Sequence, residues 1–219
     1  MHALIIGATG ATGHALLTQL LDNPMFSHVS IFVRRPVSIE HPKLTTHIID
    51  FDQAHTWQDK VRGDVLFCCL GTTLKDAGSQ AAQWRIDYDY SYQFAQAAHA
   101  HGVPQFILVS SAFANPTSKG FYTRMKGKLE QDIRALGFAS LSIFRPPSLI
   151  RPHTNRLGEK IAIRILNGLN HIGLFTHMRP MAVETLAQAL IHAAQPAQQG
   201  THLFEANDIW QLASASHQQ

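Results

Sequence analysis

The chain has 219 residues, a formal net charge of +3 and 45% hydrophobic residues, which is typical of one globular domain with a full core. No block of like charge supports nucleic-acid binding, and no apolar run approaches the roughly 18 residues of a membrane span. The N-terminus leads directly into a predicted strand, so we expect no targeting segment. The two cysteines are adjacent and cannot form a disulfide between distant elements, and we therefore expect a cytoplasmic protein.

Residues 2–6 form an apolar run that leads into a glycine-rich turn and an apolar helix. Gly7 allows a sharp turn, Gly10 lets backbone approach a pyrophosphate, and Gly13 lets the helix pack closely on the sheet. The N-terminus of that helix can then stabilise the negative charge of the phosphates. Because the spacing is GxxGxxG rather than the commoner GxGxxG, an ordinary strand–helix connection stays as the weaker alternative.

The second strand, residues 28–33, ends in Arg34-Arg35-Pro36. An NAD site usually has an acidic residue here, about 20 residues after the glycine turn, for the ribose 2′-hydroxyl. Arginine instead suits a 2′-phosphate, because its guanidinium presents several donors in one plane. The two arginines could simply be solvated residues at a strand edge, but their position after the second strand favours a role in cofactor binding. The sequence therefore predicts NADP(H) as the cofactor.

Apolar runs alternate with helical patterns along the rest of the chain. The predicted strands cover 2–6, 28–33, 45–49, 64–69, 105–109 and 139–144, and the predicted helices cover 12–22, 53–60, 80–101, 122–136 and 183–194. This alternation is typical of an α/β fold, a Rossmann-type doubly wound parallel sheet with helices on both faces. We predict a single domain over 1–219 in which 146–219 adds a small substrate-side region, and a polar tail at 213–219 that frays.

Two loops after predicted strands suit a nucleotide, because open parallel sheets bind ligands at the carboxyl ends of their strands. After the third strand, Asp50 can accept a hydrogen bond from an adenine amino group and Phe51 can flank the ring. After the fourth strand, the small residues around Gly71 let backbone approach the cofactor ribose.

A Ser-Tyr-Lys set follows the fifth strand. Tyr122 and Lys126 are four residues apart on a predicted helix and therefore share one face. A free tyrosine has a pKa of about 10, and a neighbouring ammonium lowers it by stabilising the phenolate. Lys126 can also reach the cofactor ribose, while Ser110 or Ser111 can hold the substrate carbonyl oxygen.

These segments together resemble the short-chain dehydrogenase/reductase superfamily, and within it the Tat-interacting oxidoreductase-like subfamily. The resemblance covers 1–150, and its most specific parts are Cys-Cys-Leu-Gly-Thr-Thr at 68–73 and the spaced Ser, Tyr and Lys. It implies an NADPH-dependent carbonyl reductase or alcohol dehydrogenase in which Tyr122 is the acid–base residue, Lys126 orients it and Ser111 holds the carbonyl. The candidate cofactor-binding residues are Gly7, Thr9, Gly10, Ala11, Thr12, Gly13, Arg34, Arg35, Asp50, Phe51, Leu70, Gly71, Thr72, Ser110, Tyr122, Lys126 and Pro146.

No pattern identifies the substrate beyond a small carbonyl or alcohol compound. The segment 151–164 carries four basic side chains and a single acidic one, Glu159. This basic segment is either a lip that attracts anionic ligands or a solvated basic face. Trp84, Tyr88 and Tyr92 recur at helical spacing, as expected of either core residues or a homodimer seam. The 14 histidines show no metal-ligand spacing, and we expect no metal site.

Two functions from different classes fit these residues. The first is an NADPH-dependent oxidoreductase, and the alternative is a non-catalytic redox sensor that binds NADP(H), as NmrA-like relatives do. A sensor needs no Ser, Tyr and Lys in register, and their presence here favours the enzyme. A nucleotide-sugar epimerase is disfavoured, because the region after Pro146 is too short for a comparable substrate cap.

Overall fold

The computed structural model describes residues 1–150, 179–195 and 199–215. The strands there are β1 (His2–Ile6), β2 (His28–Val33), β3 (Leu44–Ile48), β4 (Val65–Cys68), β5 (Gln105–Val109), β6 (Ser140–Phe144), β7 (Leu149–Ile150), β8 (Met181–Ala182) and β9 (Gly200–Phe204). The helices there are α1 (Ala11–Asp22), α2 (Leu74–Ala77), α3 (Gln80–Trp84), α4 (Tyr90–Ala100), α5 (Phe121–Leu136), α6 (Val183–Ala193) and α7 (Ala206–Ser214).

The main sheet has seven strands in the order β3-β2-β1-β4-β5-β6-β9, and each neighbouring pair is parallel. The short strands β7 and β8 pair with each other in a second sheet. Parallel neighbours need a crossover connection, and helices supply most of these crossovers. The predicted α/β doubly wound fold is confirmed.

β1 shows how the sheet separates two cores. Ala3 and Ile5 face the side covered by α1 and α6, whereas Leu4 and Ile6 face the side covered by α4 and α5. All four side chains are fully buried. A strand buried on both faces has a continuous apolar sequence rather than an alternating one, and this is why β1 is recognisable from its sequence.

Two predicted helices differ from the structure. The segment 53–60 forms two separate 3₁₀ turns, Ala54–Thr56 and Gln58–Lys60, rather than an α-helix. The predicted helix 80–101 is α3 and α4 joined by a π-helical turn at Arg85–Asp89. π turns occur mostly as single-turn bulges within helices and frequently at functional sites.

The C-terminal elements complete the main core. α6 packs against α1 and buries Leu186 and Leu190, while β9 pairs with β6 at the sheet edge. α7 continues to Ser214, and Ala213 within it is only 5% exposed, so the prediction of a tail that frays from Ala213 is wrong for these two residues. Residues 216–219 lie outside the part of the chain that the structure describes. No helix in the described ranges is long and apolar enough to cross a membrane.

Three partly buried histidines lie on the first three strands, with His2 and His28 at the amino ends of β1 and β2 and His47 near the carboxyl end of β3. His2 and His28 pair across β1 and β2, with ring centroids 4.5 Å apart. Burial, followed by the neighbouring His28, lowers the pKa of His2. Burial and the nearby Lys60 lower the pKa of His47 on β3. The folded protein therefore favours the neutral form of His2 and His47.

We expect the free energy of unfolding to decrease as the pH falls below about 6.5, the ordinary histidine pKa. The unfolded chain takes up protons at that value, whereas folded His2 and His47 do so only at lower pH, so stability is lost between the two values. Urea unfolding at several pH values measures this dependence. The double variant His2→Gln/His47→Gln should weaken it, and the exposed control His55→Gln should not. An unchanged pH dependence in the double variant would contradict the assignment.

Candidate active site

The glycine turn after β1 packs tightly against neighbouring backbone. Gly7 has a φ of +83°, and a Cβ on it would lie 2.5 Å from the carbonyl oxygen of Cys69. A Cβ on Gly13 would lie 2.1 Å from the carbonyl oxygen of Gly7. Neither position has space for a side chain, and a left-handed φ is itself unfavourable for any residue but glycine. The turn can therefore bring the start of α1 close to the end of β4.

The N-terminus of α1 faces a cleft. The helix begins at Ala11 with Gly10 as its N-cap, no side chain caps it, and its first turn holds no acidic residue. Gly10, Ala11 and Thr12 all line the cleft. The first N–H groups of a helix lack partners within the helix and carry partial positive charge. These features fit a phosphate group at this position.

The cleft has a volume of about 560 Å³ and runs from the glycine turn to the first two turns of α5. The loop after β4, the end of β5, Leu149 and residues of α2 and α3 (Leu74, Gln80 and Gln83) complete its walls. The sequence-predicted site residues that line it are Gly10, Ala11, Thr12, Leu70, Gly71, Thr72, Ser110, Tyr122 and Lys126. The tertiary structure thus gathers residues from four separate predicted loops and helices into one cavity.

Other predicted residues lie outside this lining. Arg34 and Arg35 are exposed directly after β2, at the same edge of the sheet as the glycine turn. Asp50 is exposed, and its carboxylate accepts a hydrogen bond from the backbone N–H of Asp52 at 3.0 Å. Pro146 is buried, and its carbonyl accepts from the N–H of Ala112 at 3.2 Å. Gly7, Thr9, Gly13, Phe51 and Ser111 are likewise not among the residues that line the cleft.

The predicted role of the Phe51 ring is not supported. Phe51 is only 4% exposed, and its ring centroid lies 5.1 Å from that of Tyr90 and 5.7 Å from that of Phe94. A ring packed in the core in this way has no free face for an adenine. The sequence could not show this, because an aromatic residue after a strand has the same local pattern whether it turns inward or outward.

The two serines after β5 have different surroundings. The hydroxyl of Ser110 is buried and donates to Oε1 of Glu130 at 2.5 Å. The hydroxyl of Ser111 is half-buried and makes only a long bond of 3.3 Å to the carbonyl oxygen of Ala112. The proton of the Ser110 hydroxyl is therefore committed to a structural bond, and of the two hydroxyls that of Ser111 is the more available to donate to another molecule.

Tyr122 and Lys126 lie one turn apart at the start of α5, as predicted. Tyr122 is 38% exposed, whereas Lys126 is only 2% exposed, and the Lys126 ammonium is 6.0 Å from the centre of the tyrosine ring. Lys126 Nζ also donates to the carbonyl oxygen of Leu70 at 3.4 Å. Burial opposes the charge on Lys126, but Tyr122 and then Asp87 favour it, and the pKa of Lys126 is raised. The lysine thus presents a positive charge beneath the tyrosine.

Sequence reasoning missed a row of buried polar residues that begins at Gln83 in the lining of the cleft and continues into the core. Gln83, Asp87 and Ser91 are each at most 4% exposed, and they follow one another at intervals of four residues. Gln83 Nε2 donates to the carbonyl oxygen of Thr72 at 2.9 Å, and the N–H of Thr72 donates to Asp87 Oδ1 at 2.8 Å. The i, i+4 spacing of these polar residues on a predicted helix was the available signal.

A second missed feature is the ion pair behind Ser110. Glu130 is 3% exposed and accepts two hydrogen bonds from Arg145, at 3.0 Å from Nε and 2.6 Å from Nη2. Arg145 also lies 3.6 Å from the exposed carboxylate of Glu205. Glu130 follows Lys126 by one helical turn, so their shared helix face was visible in the sequence. Its partner Arg145, directly after β6, was not.

The aromatic stripe of the predicted helix, which consists of Trp84, Tyr88 and Tyr92, packs against helix α5 and its own members. The Trp84 ring lies 4.7 Å from Tyr88 and 6.3 Å from Phe121. The hydroxyl of Tyr88 donates to Asp132 on α5, and its ring stacks on Tyr92. The stripe is therefore half-buried between α4 and α5. The basic segment 151–164 lies outside the described residues.

Comparisons with known proteins agree with this geometry. A family model for NAD(P)H-binding proteins matches residues 7–158. Protein FMP52 of Saccharomyces cerevisiae is 37% identical over 158 residues, which cover 71% of this chain and 68% of that protein. Protein HTATIP2 of Rattus norvegicus is 35% identical over 170 residues, which cover 75% and 70% respectively.

A solved structure shows the same fold at low sequence identity. The Bordetella bronchiseptica enzyme WbmH in complex with NAD+ superposes with a TM-score of 0.72 at 16% identity, covering 98% of this chain and 79% of that one. At an identity this low, the similarity is evidence for the fold alone. That fold is the Rossmann arrangement described above.

The expected cytoplasmic location is contradicted by the relatives. Those from Saccharomyces cerevisiae, Debaryomyces hansenii and Aspergillus fumigatus all carry the name "Protein FMP52, mitochondrial" or its lower-case form. The expectation rested on composition and charge, which reflect how a domain folds and stays in solution. These requirements are the same for a Rossmann domain in the cytoplasm and in a mitochondrion, so they do not indicate the compartment.

Proposed function

Because the chain belongs to the NAD(P)H-binding family, we propose that it is an NADPH-dependent oxidoreductase that interconverts a carbonyl compound and its alcohol. One observation carries the proposal. The acid–base candidate Tyr122 and its buried partner Lys126 line the same cleft as the helix N-terminus that suits a phosphate. A nucleotide in this cleft would therefore lie beside a tyrosine whose neighbour is a buried cation.

The residues around the cleft fit NADPH. Backbone at Gly10–Thr12 would hold the diphosphate at the start of α1, and backbone at 70–72 with Lys126 would face the ribose. Arg34 and Arg35 would bind the 2′-phosphate. When bound, NADPH supplies the hydride.

The protein's own residues supply the proton and hold the substrate. Tyr122 donates its hydroxyl proton to the carbonyl oxygen, and the ammonium of Lys126 stabilises the phenolate that results. Ser111 does not line the cleft itself but directly follows the cleft-lining Ser110, and it would donate a hydrogen bond to the same carbonyl oxygen when a substrate is bound. The 38% exposure of Tyr122 gives solvent access for regaining its proton.

The test is a panel of aldehydes and ketones incubated with the protein and NADPH, with the loss of NADPH absorbance as the readout. The proposed function predicts turnover of at least one carbonyl compound with formation of its alcohol. Two results together would support the redox sensor instead. The protein would bind NADPH tightly without turning over any compound, and it would capture a protein partner with only one redox state of the cofactor bound.

We expect NADPH to bind more tightly than NADH, because the exposed arginines after β2 can form charge-assisted bonds to a 2′-phosphate. Arg34→Ala or Arg35→Ala should weaken NADPH binding by about 1.5–3 kcal/mol and leave NADH binding nearly unchanged. Fluorescence titration of both cofactors measures the preference. Arg62→Ala, an exposed arginine elsewhere, is the control. Equal affinity for the two cofactors in the unmutated protein would refute NADPH preference.

We also propose that residues 146–219 contribute to the substrate side. A second cavity of about 720 Å³ adjoins the serine loop and is bounded by Phe113, Arg145, Pro147 and Glu205–Asp208. Phe113 is 72% exposed and has a positive φ of 62°, which is rare for a bulky residue and is found at functional sites. A homodimer through the helix at 84–101 stays a prediction.

A further inference from the structure

The buried carboxyl group of Asp87 has a hydrogen-bond partner for only one of its two oxygens among the described residues. Asp87 is fully buried and lies in the π-helical turn between α3 and α4. Its Oδ1 accepts the hydrogen bond from the N–H of Thr72, but Oδ2 has no hydrogen-bond partner among the described residues. A buried polar atom without a partner is costly, and such an atom in a native structure points to a role.

Oδ2 of Asp87 faces the ammonium of Lys126. The two atoms are 3.9 Å apart, and both side chains are at most 2% exposed. This distance allows strong attraction between the charges but is too long for a hydrogen bond. The carboxylate can therefore stabilise the positive charge without occupying an N–H of the lysine. One N–H donates to the carbonyl oxygen of Leu70, and the others stay available on the cleft side, where Tyr122 lies.

Other ionisable groups around the lysine are few and can be named. Tyr122 and Glu130 face it from α5, and Cys68 on β4 and the following Cys69 face it from the sheet. Glu130 is already bound to Arg145 and Ser110. Burial raises the pKa of both thiols, which keeps them neutral. Asp87 is thus the acidic group best placed to act on Lys126.

We propose that Asp87 is a positioning residue that anchors the buried ammonium of Lys126 and keeps it charged beneath Tyr122. The proposal rests on the proposed function, because only an acid–base tyrosine needs that charge. Burial raises the pKa of Asp87, while the Lys126 ammonium and the Thr72 N–H act in the opposite direction. The two charges thus support each other in an interior where neither is favoured alone.

A purely structural role is the competing explanation, and Asp87→Asn separates the two. The amide oxygen of asparagine still accepts from the Thr72 N–H, so the loop after β4 keeps its bond, while the negative charge is removed. Ser91→Ala is the matched control, because Ser91 is equally buried, lies one turn away and has no charge.

The first experiment uses the cofactor-free protein and needs no turnover. Carbon-13 NMR of labelled lysine side chains follows the titration of Lys126, whose signal is identified by its absence in Lys126→Met. We expect Lys126 of the unmutated protein to stay protonated through neutral and mildly alkaline pH, and its titration to move to lower pH in Asp87→Asn but not in Ser91→Ala. A neutral Lys126 in the unmutated protein, or an unmoved titration in Asp87→Asn, would overturn the proposal.

The second experiment measures the pH profile of kcat. The alkaline limb should move to lower pH in Asp87→Asn, since Lys126 loses its charge sooner. A lower kcat with an unmoved profile would indicate the structural role. If no carbonyl compound is reduced, the proposed function fails, while the NMR titration still decides the coupling between Asp87 and Lys126. If Asp87→Asn does not fold, the titration of the unmutated protein still decides whether Lys126 is kept charged.

Discussion

Tyr122→Phe should abolish carbonyl reduction while leaving NADPH affinity nearly unchanged. Only the hydroxyl is lost, and the ring can keep its place at the start of α5, where it is 38% exposed. General acid–base groups contribute about 10²–10⁴ in rate. Steady-state turnover with the best carbonyl compound, together with NADPH titration by fluorescence, separates loss of chemistry from loss of binding.

A matched control is Tyr92→Phe, because Tyr92 lies on α4 and does not line the cleft. It should retain the activity of the unmutated protein. Lys126→Ala should impair both turnover and NADPH binding, since the ammonium is proposed to act on the phenol and on the ribose. A Tyr122→Phe enzyme that still reduces its substrate would disprove the role of this residue, even if NADPH binding is demonstrated.

Glu130→Ala should lower the free energy of unfolding by about 3–5 kcal/mol, the cost of removing one member of a buried ion pair. The carboxylate accepts two hydrogen bonds from Arg145 and one from the hydroxyl of Ser110. Its removal leaves a largely buried guanidinium and a buried hydroxyl without their acceptor. Chemical denaturation at neutral pH measures the loss.

Glu205→Ala is the control for this change, because Glu205 lies near the same arginine. Its side chain is 65% exposed and 3.6 Å from Arg145, so its loss should cost about 0–1 kcal/mol. Similar effects of the two substitutions would show that the buried pair does not stabilise the serine loop. Because Ser111 directly follows Ser110, we also expect Glu130→Ala to reduce turnover in the protein that remains folded.

Most of the fold is encoded in short stretches of sequence. β1, the glycine turn and α1 are recognisable because a strand buried on both faces is continuously apolar and the turn has space for no side chain at Gly7 or Gly13. The exposed edge strand β9 escaped prediction because only two of its residues, His202 and Phe204, are even partly buried. The π turn at 85–89 escaped because it leaves the helical pattern of apolar residues almost unchanged.

The residue types of the candidate site were also readable from spacing. Tyr122 and Lys126 share a helix face by geometry, and the loops at 10–12 and 70–72 follow strands that end at the same edge of the sheet. What local sequence could not decide was how each side chain is paired. Ser110 and Ser111 are adjacent and chemically identical, yet Glu130, 20 residues away, binds only the first.

Tertiary contacts decided the state of the buried charges as well. Lys126 on α5 meets Asp87 from the π-helical turn, and Glu130 on α5 meets Arg145 from the loop that follows β6. Phe51 was expected beside a nucleotide but packs on Tyr90 and Phe94 in the core. The sequence determines the order of strands and helices and the kind of site, because these follow from periodicity and backbone sterics over a few residues. Which hydroxyl is free and which ammonium is charged depends on burial and on partners distant in the chain, because the energy of a polar group is set by the atoms that replace water around it.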